Sequence, residues 1–151
     1  MALSAEDIQT AIGVWDKIVV NAEEHGAIVL SRMFKEHSHT VSHFKNFTEL
    51  QSIAEIASAA EIAGLAEVRG HGKKVFTALN DLVLHVDNAD ALNKIAAPLA
   101  KKHAEELKVC VKDLGVLCEI LIDLVGEKQG DAKTAFKKVM DVIYENIKAA
   151  Y

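Results

Sequence analysis

Two histidines, His71 and His103, carry the chemistry this sequence offers. Each lies on a helix-patterned stretch, and each shares a helical face with an apolar residue one turn away: His71 with Val75, and His103 with Leu99. An imidazole titrates at about pH 6.5 in water and lower when buried, so a buried histidine is neutral and keeps a nitrogen lone pair. Two such rings facing each other across an apolar slot grip a flat metal cofactor between them. Phe44 and Phe47 supply aromatic surface to clamp a ring system. A lone histidine on an apolar face is more often a satisfied packing residue. The reading therefore rests on the pair and its surroundings.

Other groupings carry less. His37, His39 and His43 form an H-x-H-x-x-x-H cluster, but no cysteine or suitable carboxylate completes a tetrahedral zinc set, so a solvated corner is expected. The run Gly70-His71-Gly72-Lys73-Lys74 has a phosphate-loop look. However, Lys74 stands where Ser or Thr must follow the lysine, and no strand precedes it. His25 is expected to be a packed, inter-helix hydrogen-bonding residue. Cys110 and Cys118 are eight apart on one helix-like segment. That is about 12 Å of helix, too far for a bridge, so both read as free thiols of a reducing compartment. No Ser-His-Asp or Cys-His nucleophile arrangement stands out.

The elements that must position these residues are helical throughout. Ser4 with Asp7 resembles a capping box, followed by Ile8, Ala11, Ile12, Trp15, Ile18 and Val19 at helical spacing. A second helix is expected over 26–36. The segment 37–47 reads as a short helical turn and a corner. Over 54–68 the near-repeats Ala54-Glu55-Ile56, Ala60-Glu61-Ile62 and Ala66-Glu67-Val68 read as a local duplication extending a surface helix, with Ile56 and Ile62 exposed as candidate self-association contacts. Val68 to Val86 forms one broad apolar face. Asp87 to Asp90 is a turn with capping residues, and Pro98 breaks the next helix or starts a fresh turn. The stretch 111–125, apolar nearly all round, is expected to be the central buried helix. Asp131 is expected to cap a last helix bearing Ala135, Phe136, Val139, Met140, Ile143 and Ile147. No stretch alternates with period two, so the fold class is all-α, with seven to eight helices.

Bulk properties narrow the function classes. The 151 residues, half of them apolar, suit one domain over 1–151 with a real core. A net charge of −5 offers no basic field for nucleic acid or an anionic membrane. The acidic start lacks a signal-type apolar region, and no apolar run reaches the roughly 18 residues of a membrane span, so a cytoplasmic protein is expected.

Trp15, Leu30, Phe34, Phe44, His71 with Val75, Pro98-Leu99-Ala100 before His103, and Tyr151 together resemble the globins, in order along essentially the whole chain. The spacing is part of the likeness: 27 positions separate Phe44 from His71, and 32 separate His71 from His103. Vertebrate-type globins, in the myoglobin, cytoglobin and jawless-vertebrate haemoglobin range, are the closest in pattern. The resemblance implies a globin fold around a haem pocket with haem b as cofactor. It implies His103 as proximal iron ligand and His71 as distal residue, a direct ligand only in a six-coordinate form. It also implies a pocket shaped by Leu30, Phe44, Val75, Leu99, Val109, Leu114 and Leu117.

The implied function is reversible binding of dioxygen for storage or transport, with carbon monoxide and nitric oxide as further gases, by a carrier rather than an enzyme. The expected assembly is a monomer or weak homo-oligomer. The alternative is a six-coordinate redox globin with nitric-oxide dioxygenase, nitrite reductase or peroxidase-like activity; a haem-free helical sensor is a third class. The chain departs from the family pattern in four ways. Ser38 replaces the corner proline, the segment before His71 is longer, and the corner at Gly126 to Gly130 is short. Lys102 and Leu107 stand where a hydroxyl and a polar residue flank the proximal histidine in myoglobin-like chains. Lys102 is then the expected contact for a haem propionate.

Overall fold

The computed structural model describes residues 3–106 and 109–151, so Leu107 lies outside the described residues. Helix α1 (Ala5–Val19) starts where Ser4 Oγ accepts from the Asp7 N–H at 3.0 Å. Helix α2 (Ala22–Glu36) begins four residues before the expected Gly26. Its first turn is polar and carries Glu23 and Glu24, which suit a helix N-terminus but hide the start from a search for apolar period. His25 Nδ1 donates to the Ile18 carbonyl at 2.8 Å and closes the α1–α2 corner, the role the sequence suggests.

A 3-10 turn spans Ser38–Phe44, followed by α3 (Thr48–Ile53), α4 (Ala59–Ala63) and α5 (Ala66–Leu84). The expected extended surface helix over 54–68 is not there. Ser58 and Glu61 form a reciprocal capping box that starts α4 afresh, so the six-residue repeats share no face. Ile56 is 85% exposed, whereas Ile62 is fully buried, which removes Ile62 as a surface contact.

Helix α6 (Ala89–Lys101) is capped by Asn88, whose side chain accepts from the Ala91 N–H. It runs through Pro98 rather than breaking there, and a π-helical turn, Lys102–Glu106, follows. Helix α7 (Val111–Lys128) is buried only in its second half, at Ile120, Leu121, Ile122, Leu124 and Val125. Leu114 and Leu117 of its first half are partly exposed and face a cavity, so the expectation of a wholly buried helix holds for half of it. A 3-10 turn, Gly130–Ala132, contains Asp131, and α8 (Lys133–Ala150) starts from Ala132 with no side-chain cap. Asp131 is therefore not the cap the sequence suggested.

The architecture is all-α, with eight α-helices and no strand among the described residues. Helix α8 lies against α1, α6 and α7, and α2 against α5. Trp15 packs on Phe76 and Phe136 in the middle of the core, with ring centroids 5.2 and 6.0 Å away, and its Nε1 donates to Asn80 Oδ1 at 2.9 Å. Where α2 crosses α5 the two backbones touch. A Cβ on Gly26 would lie 2.4 Å from the Gly72 carbonyl group, and one on Gly72 would lie 2.5 Å from the Gly26 carbonyl carbon. Only glycine fits on either side of that crossing. Among the described residues no helix is long and apolar enough to cross a membrane.

Candidate functional site

His103 sits in the π-helical turn after α6, a backbone form that often marks functional positions. Its Nδ1 lies 2.7 Å from the Leu99 carbonyl oxygen. A carbonyl only accepts, so Nδ1 carries a proton, and in the neutral ring Nε2 is the nitrogen with the lone pair. This is the arrangement of a histidine prepared to bind a metal through Nε2.

His71 reaches the same space from α5, next to the Gly26–Gly72 crossing that pins the helix. Phe44 and Phe47 meet its ring edge-on, with centroids at 5.1 and 5.7 Å. Phe44 is seated in turn against Phe34 at 5.1 Å. Burial lowers the His71 pKa below the ordinary imidazole value, and the nearby Lys74, His103 and Lys102 lower it further. The ring is therefore neutral at physiological pH.

Both histidines line one cavity of about 250 Å³. Leu30, Phe44, Val75, Val109 and Leu114 are on its wall, as are Phe47 and Leu117. Leu99 is not on that wall. Its side chain packs partly buried against the core, and its contribution to the site is the carbonyl that holds His103. Sequence reasoning missed Met33, Thr40, His43, Lys45, Asn46 and Asp113. Met33 follows Leu30 by three positions on the same helical face, so periodicity alone would have found it. Asp113 had no such signal, because its partners are more than 60 residues away in the chain.

The globin family model matches residues 27–147. The chain belongs to the globin family. Globins as a rule bind haem, and this globin's donor set fits one. It has an imidazole whose Nδ1–H is committed to a backbone carbonyl, a second imidazole held neutral by burial on the same cavity, and aromatic and aliphatic walls. The family pattern also places Tyr151 near the end of the chain, and here its hydroxyl donates to the Val109 carbonyl, tying the chain end to the cavity wall.

The histidine-rich corner is largely solvated, as the sequence suggested, but two of its rings are tied down. Asp113 of α7 accepts from His39 Nε2 at 2.8 Å and from His43 Nε2 at 2.9 Å. Among the described residues no three such side chains are arranged to hold a metal ion. The thiols are separate and free, as expected. Burial, with Asp141 and Glu119 nearby, pushes the Cys118 thiol up to about 12, so it is not a thiolate at neutral pH.

Proposed function

We propose that the chain is one globin domain that binds haem b and, through it, reversibly takes up dioxygen for storage or transport. The observation that carries this reading is the His103 Nδ1 hydrogen bond to the Leu99 carbonyl, which leaves Nε2 free on a cavity shared with His71. When bound, the haem supplies an iron site for dioxygen and other diatomic gases.

The chain's own residues do the rest. His103 offers Nε2 as the proximal ligand, and Leu99 keeps that ring from turning. His71, held neutral by burial, presents an N–H donor over the gas site. Such a bond contributes about 1 kcal/mol, and more when the acceptor carries charge. Leu30, Phe44 and Val75 exclude water from that side. Lys102, exposed beside the proximal histidine, would be a cation for a propionate, and Lys45 on the cavity wall is a second. The free thiols Cys110 and Cys118 suit a reducing, cytoplasmic location.

A six-coordinate redox globin is the second reading. It rests on His71 and His103 lining one cavity, which puts a second imidazole on the same space as the first. Visible spectra of the purified protein, oxidised and reduced, with and without carbon monoxide, test both. A Soret band that His103→Gly abolishes is the expected result, and a colourless wild-type protein rejects haem binding. In the reduced protein without gas, one broad visible band means an open site, and split sharp bands mean that His71 is also a ligand.

A further inference from the structure

The corner Ser38–Phe44 and the first turn of α7 form two walls of the cavity, and one carboxylate joins them. Asp113 spends both oxygens on this link: Oδ1 accepts from His39 and Oδ2 from His43. Since a carboxylate only accepts, both imidazoles hold their proton on Nε2. Burial opposes ionisation of Asp113, but the two histidine hydrogen bonds outweigh it and hold the carboxyl below its ordinary range. Asp113 and His43 lie on the cavity wall, with side chains 12% and 23% exposed, whereas His39 is 61% exposed and forms the outer end of the link. Phe44 follows His43 directly and Leu114 follows Asp113, so each end of the clamp is adjacent to an apolar wall residue. None of the three has a part in the haem chemistry described above.

We propose that the His39–Asp113–His43 clamp is a closure across the mouth of the cavity that sets how fast the haem leaves. This rests on the haem reading. A flat group sliding out between the corner and α7 must part the two walls, and parting them breaks two charge-assisted hydrogen bonds. The three are positioning residues and act through Phe44 and Leu114.

Transfer of haem from the intact protein to an excess of a haem-scavenging apoprotein reads this directly. Asp113→Asn and the pair His39→Gln/His43→Gln are each expected to lose haem about tenfold faster than wild type, the scale of one or two lost charge-assisted bonds. The haem-free variants are expected to show only a small fall in urea midpoint, too small to account for the faster loss, and Asp113→Glu is expected to restore slow loss in part. The histidine pair is a corner substitution and guards against misfolding of the Asp113 variant. Loss rates equal to wild type, or a rise that only tracks a fall in the urea midpoint, overturn the proposal. A wild type that takes up no haem rejects the haem reading and this inference with it, whereas a coloured wild type whose clamp variants lose haem no faster rejects the clamp alone.

Discussion

At His71 the burial that excludes water also fixes the protonation state, and stability follows from that. Above the ordinary imidazole range the ring is neutral in the folded and the unfolded chain, and it adds no pH dependence. As the pH falls through about 6.5, the unfolded chain takes up a proton that folded His71 resists, so unfolding becomes easier until the lowered folded value is reached. The haem-free protein is therefore expected to lose stability as the pH falls through and below about 6.5, and His71→Leu is expected to flatten part of that fall. Urea midpoints across the range check this, and equal steepness in both proteins assigns the effect elsewhere. That His71 and His103 share one cavity was legible through the family resemblance that pairs them, not from the type of either residue alone. The tautomer of His103 was not, because it depends on a backbone carbonyl that the π-helical turn leaves within reach. Nor was the role of Asp113, whose partners come from a distant corner.

Helix positions were legible where an apolar stripe or a cap announces them, as in α1 with Ser4 and α6 with Asn88. They were misread where local chemistry competes with the stripe. Over 54–68 the repeated Ala-Glu-Ile units suggest continuity, yet the Ser58–Glu61 capping box, itself visible in the sequence, starts a new helix. What one-dimensional pattern cannot show is how two helices meet. Gly26 and Gly72 are ordinary mid-helix glycines until α2 and α5 cross with their backbones in contact. Neither side can yield, because the clashing atoms are backbone. Gly26→Ala is expected to force the helices apart at a cost of about 1–3 kcal/mol, the range for overpacked sites. It should also perturb the Soret band, since Gly72 adjoins His71. Urea unfolding and absorption spectra measure the two effects. An unchanged midpoint would mean that the crossing is looser than the 2.4 Å approach implies.

Among the described residues the apolar core is interrupted by the apolar cavity that His71 and His103 line. Trp15, Phe76 and Phe136 are sealed among α1, α5 and α8, while Met33, Val75, Leu114 and Leu117 belong to the core's edge and also line the cavity. A group that fills the cavity adds contacts to both sides, and it binds only the folded chain, because the two histidines meet only there. Binding then raises stability by mass action, by about 2.7 kcal/mol when free ligand exceeds its dissociation constant a hundredfold. For a chain of this size each kcal/mol is worth roughly 2–4 °C, so haem is expected to raise the thermal midpoint by about 5–10 °C under those conditions. The midpoint should keep rising slowly with excess haem, and His103→Gly should show much less of the rise. Circular dichroism melts with and without haem check this. A coloured mixture that melts where the haem-free protein melts would mean that the pigment sits on the surface and not between α5 and the turn carrying His103.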